Sequence, residues 1–290
     1  MKKNIIKIAL YVIGFALICY PFITRFIEFS NQTKSVYDYK KEIVKMEEAE
    51  LKNKLEKANE ANKEKSTNIV IVKENEVNQN TISQYDFLKE GEILGYINIP
   101  KINIELPIYE GTTIENLEKG VTHMENTSLP NGQNGTHCVL AGHTGILKAE
   151  IFDNIDKLDV GDEFYIDFLG VNNRYTVIKT SIILPDDTSE LKIEKDKCLI
   201  TLVTCTPRSI NTHRLLVTAQ IDNIEKNYYE QINEQINNNN SEIVEKGKIE
   251  IFKEYINNNL YRIIIIVLFL ILIITLEIIT SQKRRKANER

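Results

Sequence analysis

Cysteine is scarce in this sequence, with four among 290 residues, and no two of them stand as Cys-x-x-Cys. No His-x-x-x-His set is present either, so the ligand spacing of a zinc site is missing and neither a metal nor another cofactor is expected. Cys19 falls within an apolar block, where it acts as a small hydrophobe. The other three, Cys138, Cys198 and Cys205, cannot all pair, and their irregular spacing does not describe a disulfide scaffold. At least one thiol therefore stays reduced. Clustered positive charge is also missing from the middle of the chain. With a formal net charge of -5 and a pI near 5.6, no nucleic-acid partner is expected, because phosphate-backbone binding needs a basic face.

Two apolar blocks bracket the polar middle. Ile8 to Thr24 follows Lys2, Lys3 and Lys7, and Ile263 to Thr280 is followed by Lys283-Arg284-Arg285-Lys286. Each approaches the roughly 20 residues that cross a bilayer, and basic flanks stay cytoplasmic. The first block is followed by Pro21-Phe22-Ile23-Thr24-Arg25 rather than the small residues of a cleavage site, which favours retention as a signal anchor. The expectation is a cell-membrane protein with both termini cytoplasmic and an extracytoplasmic middle.

Six segments follow: an anchor over 1–25, a helical extension and linker over 26–84, a catalytic domain over 85–224, a stalk over 225–260, a second membrane helix over 261–281 and a basic tail over 282–290. Between Val36 and Lys65 the apolar positions Val36, Tyr39, Ile43 and Met46, then Leu51, Leu55 and Ala58, describe an amphipathic helix packed on the domain or on its own neighbours, with a slip in its seam after Met46. From Tyr85 the period changes to alternation. Strands are expected over Leu94–Ile99, Ile102–Leu106, Cys138–Ala141, Phe164–Phe168, Arg174–Leu184, Leu199–Thr204 and Leu215–Ile221. Short helices are expected over Thr113–Lys119, behind a Thr cap, and over Ala149–Leu158. Many strands with few helices exclude repeating βαβ units and point to a mainly β barrel or sandwich.

Cys205 ends an apolar, β-branched run, with Thr201 and Val203 on its own face. A six-residue loop, Thr206 to Asn211, then leads into Thr212-His213-Arg214-Leu215-Leu216-Val217. A connection that short favours antiparallel neighbours, bringing Arg214 close to Cys205. His143 lies in the turn Ala141-Gly142-His143-Thr144-Gly145. A thiolate is a nucleophile, an imidazole carries protons to a departing amine, and a guanidinium stabilises an oxyanion without titrating.

The runs Thr201-Leu202-Val203-Thr204-Cys205, Asn211 to Val217 and Leu140 to Gly145 resemble those of sortases. So do Leu94 to Ile102, Leu106 to Gly111 and Leu158 to Asp162, in the same order, over about Tyr85 to Ile224. The resemblance implies an eight-stranded sortase-type β-barrel in which Cys205 is the nucleophile, His143 the general acid/base and Arg214 the substrate and oxyanion stabiliser. Thr201 and Thr204 join them as substrate-binding candidates. It further implies cleavage of an LPxTG-like sorting signal on a surface or pilin protein, through a thioacyl intermediate that an amine resolves. The second apolar block and the Thr206-Pro207 to Leu216 run are most similar to class C sortases, whose acceptor is a pilin lysine. Housekeeping sortases, which use a cell-wall precursor amine, are the alternative. Class C enzymes commonly carry an Asp-Pro-aromatic lid, and no proline stands between Pro21 and Pro100 here, so no lid residue is assigned. A non-catalytic membrane scaffold and a thiol oxidoreductase using two of Cys138, Cys198 and Cys205 are the rivals from other classes. Cys138 and Cys198 are expected to be core or unreactive surface thiols. His123, His137 and His213 are expected to be structural or partly exposed, and Arg208 to shape a neighbouring groove.

Overall fold

A sheet leaves no exposed edge when its first and last strands meet. In the computed structural model, which describes residues 2–64, 85, 87, 88, 91–221 and 248–260 with a few positions up to 282, eight strands achieve this closure. They are β1 (Ile93–Ile99), β2 (Ile104–Glu110), β3 (Val121–His123), β4 (Thr136–Ala141), β5 (Glu163–Phe168), β6 (Val171–Ile183), β7 (Cys198–Thr206) and β8 (His213–Ile221). Around the barrel the order is β1-β2-β3-β4-β7-β8-β6-β5. Two neighbour pairs are parallel, β2 with β3 and β4 with β7, and the rest are antiparallel. The seven expected strands are all present. The eighth, β3, has three residues, too few to show a period, and all three are buried.

Inward-facing Ile97, Ile99, Ile108, Leu140, Phe164, Ile166, Ile200, Leu202 and Val217 fill the core. Outside the wall formed by β4, β7 and β8 lies a smaller cluster of Met124, Val139, Ile183, Leu191, Val203 and Leu216. The crossover from β6 to β7, which contains Leu191, helps form this cluster, so the central strands are buried on both faces.

The helix α3 (Ile114–Lys119) starts behind Thr113, whose side chain accepts from the Asn116 amide, as its sequence predicts. The helix expected over 149–158 is absent. That stretch runs through turns into a short 3-10 segment, Ile155–Lys157, although Ile151, Phe152, Ile155 and Leu158 are all buried. Its backbone is used elsewhere: the Phe152 amide donates to the His143 carbonyl at 2.9 Å, a tie to the preceding loop in place of a helical bond.

The amphipathic stretch before the barrel divides into α1 (Lys2–Lys45) and α2 (Glu48–Glu64). The break at Met46 and Glu47 coincides with the slip in the seam, and both halves bury the expected residues. From its N-terminal end, α1 meets the β4–β5 loop through Arg25, the end of α3 through a Gln32 bond to the Lys119 carbonyl, and the start of β2 through a Lys40–Glu105 ion pair. It then reaches the β5–β6 turn through Tyr39 and Asp167. There α2 takes over, with Lys54 on Glu92 and Asn62 exchanging two hydrogen bonds with the backbone of Leu129. One helix over Ile13–Lys45 is long and apolar enough to cross a membrane. The helix α4 (Lys248–Asn258) belongs to a separate unit and falls within the expected stalk. The linker 65–84 and most of the second apolar block lie outside the described residues.

Candidate active site

Strand β7 sits between β4, parallel to it, and β8, antiparallel to it. Its first seven residues are buried, and Cys205 and Thr206 at its end come partly to the surface. Cys205 is directly opposite Arg214 in the β7–β8 ladder, and residues so paired lie about 4.5–5.5 Å apart at Cα and project from the same face. On the other side, Ala141 of β4 is level with Val203. Strand β4 ends at Ala141, so the turn that carries His143 leaves it beside the end of β7 that carries Cys205. The three residues named from the sequence thus converge at one end of the barrel, on its outer wall.

Two hydrogen bonds fasten the His143 turn to β7. The Gly142 amide donates to the Val203 carbonyl at 3.1 Å, and the Thr204 hydroxyl donates to the Gly142 carbonyl at 2.7 Å. Glycine is required at 142 because a β-carbon there would lie 2.6 Å from the Phe152 ring and 2.9 Å from Ile151. Past His143, the Gly145 amide donates to Asp153 Oδ1 at 3.1 Å, with Gly145 in the left-handed region at φ 76° that favours glycine. Arg208, from the loop after Cys205, faces the same Asp153 oxygen at 3.9 Å. The loops on either side of the site therefore meet at this carboxylate.

Arg214 is 8 % exposed. Its Nη1 donates to the carbonyls of Asn211 and His213, both at 3.2 Å, and Nε and Nη2 make no hydrogen bond among the described residues. The charge is fixed by its own loop, with donors left over for a ligand oxygen.

Thr201 shares the outer face with Cys205, as alternation requires, but it is 0 % exposed. Its hydroxyl is within 2.8 Å of His137 Nε2 and 2.9 Å of the Thr218 hydroxyl. His137 Nδ1 in turn lies 2.9 Å from the Lys192 carbonyl, so the β6–β7 crossover covers Thr201. Burial holds the His137 imidazole below its ordinary pKa, as for any desolvated base. Thr204 is 5 % exposed and committed to Gly142. Both threonines hold the strand that carries the thiol. Neither the Gly142 clamp nor Asp153 is legible in the sequence, since each depends on which strands become neighbours.

The other cysteines and histidines lie elsewhere. Cys138 and Cys198 are buried in the barrel, burial pushes both thiols up, and no disulfide is formed among the four cysteines. His123 is buried against Glu110 at 2.8 Å, paired with Leu140 of β4. His213 is partly exposed, with Nδ1 2.9 Å from the Thr212 hydroxyl.

The family model for the sortase domain matches residues 97–222. The structure is similar to sortase C-1 from Streptococcus pneumoniae, at 34 % identity and a TM-score of 0.62, over 66 % of this chain and 98 % of that one. The chain belongs to the sortase family. Its members are cysteine transpeptidases, and the solved structures similar to this sortase include several of class C. Clostridium perfringens sortase C, solved with a C-terminal cell wall sorting motif, is 39 % identical with a TM-score of 0.57, again over 66 % of this chain and 98 % of that one. Sortase D of Bacillus subtilis is 38 % identical over 119 residues, or 41 % of this chain and 57 % of that protein.

Proposed function

We propose that this sortase is a membrane-anchored transpeptidase that cleaves an LPxTG-like sorting signal between Thr and Gly and joins the Thr carbonyl to the side-chain amine of a pilin lysine. The supporting observation is the pairing of Cys205 with Arg214 across β7 and β8, with His143 tied alongside through Gly142. The likeness to class C structures favours a lysine acceptor.

In the first step the Cys205 thiolate attacks the Thr carbonyl carbon, forming a C–S bond as the electron pair moves onto oxygen. Arg214 stabilises that oxyanion with the donors its own loop leaves over. The C–N bond to Gly then breaks, and the departing amine takes its proton from the His143 imidazolium. In the second step the lysine amine attacks the thioester and gives its proton to the imidazole. The C–S bond breaks and the thiolate is restored. Thr201 and Thr204 serve substrate binding indirectly, by holding β7 and the His143 turn in place. The apolar part of α1 is the anchor and the second apolar block the second span. Both termini are cytoplasmic and the barrel is outside the membrane, in keeping with the basic flanks.

The test supplies the full chain in detergent with an LPxTG-type peptide and either a pilin bearing its acceptor lysine or a cell-wall peptide amine. An isopeptide-linked product with the pilin and a Cys205-linked acyl peptide by mass spectrometry are expected. Product with the wall peptide alone would sink the pilin reading. Undiminished cleavage by Cys205→Ala would sink the nucleophile assignment.

A further inference from the structure

We propose that the end of the barrel bearing Cys205 rests against the membrane surface, with the loop Ile146-Leu147-Lys148 seated in the lipid interface. This rests on reading α1 as the membrane anchor.

The path of α1 carries the inference. Strands β4 and β7 finish, and β2, β3 and β8 begin, at the Cys205 end. The apolar run in α1 stops at Thr24, and the next residue, Arg25, donates from Nε to the Leu147 carbonyl at 3.0 Å and from Nη1 to Glu150 at 2.6 Å. From there α1 continues unbroken along the barrel to the turn at Gly170, on the opposite end. The helix thus leaves the apolar segment at the level of the β4–β5 loop. An arginine just past an apolar span sits at headgroup depth, so the loop bonded to it shares that depth.

The surface at this end has the matching chemistry. Leu147 and Val160 of the β4–β5 connection, Ile182 and Leu184 where β6 finishes, and Ile210 of the β7–β8 loop are between 61 % and 69 % exposed. Large exposed side chains of this kind are costly in water and favourable at a lipid interface. Leu147 stands beside the span itself, so the bilayer that receives α1 is the apolar partner already within reach.

The chain has no tryptophan, so a single introduced tryptophan reports its own depth. Leu147→Trp in the full chain is placed in vesicles whose phospholipids carry bromine either near the headgroup or near the chain ends. Leu17→Trp marks the span, and Lys195→Trp, where β7 begins, marks the opposite end of the barrel. Lys148→Trp repeats the measurement should Leu147→Trp fail to fold. We expect quenching at 147 or 148 that lies between the two markers and is stronger for the shallow bromines. Emission at 147 and 148 as unquenched as at 195, in protein that floats with the vesicles, would overturn the proposal and leave the anchor standing. Protein that does not float with the vesicles would overturn the anchor and this inference together.

Discussion

Thr204 donates one hydrogen bond, to the Gly142 carbonyl at 2.7 Å, and through it the strand bearing the thiol fixes the turn bearing the imidazole. Thr204→Val keeps the shape of the side chain and removes the donor, leaving a buried carbonyl unsatisfied at a cost of about 1–3 kcal/mol. We expect kcat for peptide cleavage to fall by about tenfold or more, following that cost, while KM changes little. Thr204→Ser should restore the rate. Asp167 gives a second measurable residue. Burial raises its carboxyl from 3.8 to about 6, while Tyr39 and the Gly170 amide donate to it. Because the folded pKa is the higher one, the native state holds the extra proton between those values. The stabilisation is fully present below about pH 4 and is lost as pH rises through about 6. A shift of roughly two units corresponds to about 3 kcal/mol. Thermal unfolding followed from pH 4 to 8 should show that dependence reduced in Asp167→Asn, whose amide oxygen still accepts from Tyr39.

At the scale of elements, α2 docks through a reciprocal pair in which Asn62 donates to the Leu129 carbonyl at 3.0 Å and accepts from its amide at 2.8 Å. Asn62→Ala strands both backbone groups, and unpaired buried groups cost about 1–3 kcal/mol each. Hydrogen exchange should rise throughout α2 and leave β4, β7 and β8 protected, because those strands are held by one another. The seam of α1 and α2 was legible from residue spacing, and the slip after Met46 marked their boundary. So was the hairpin that sets Arg214 opposite Cys205, since a six-residue loop brings neighbouring strands together. The apolar spacing of Ala149–Leu158 fits the period of a helix, whereas the Phe152 amide in its middle serves the His143 loop. Nor could periodicity reveal that Thr201 is covered. The crossover that covers it is a long-range arrangement, absent from any local window of sequence.

At the scale of the molecule, the helices before the barrel contribute to its core. Tyr39, Ile43, Leu51, Leu55 and Ala58 are buried together with residues of the barrel. A chain beginning at Arg25 keeps all of them and should unfold within a few degrees of the full protein. One beginning at Gly91 exposes the surface they cover. At about 1.5–3 kcal/mol for each large apolar side chain removed, we expect it to unfold far earlier or to aggregate. Differential scanning calorimetry of the three lengths, each in detergent, makes the comparison.

The parallel pairing of β4 with β7 also fixes when the site comes into existence. Cys205 meets Arg214 through a short hairpin, which closes early because its loop is small. His143 joins them only when β4 docks on β7, a contact between distant stretches of chain that forms slowly. While the chain is still unfolded, its thiol has no acid-base partner. On the roles proposed for Cys205 and His143, the thiol therefore gains its acid-base partner only once β4 has docked on β7, and a partly folded chain lacks the complete site.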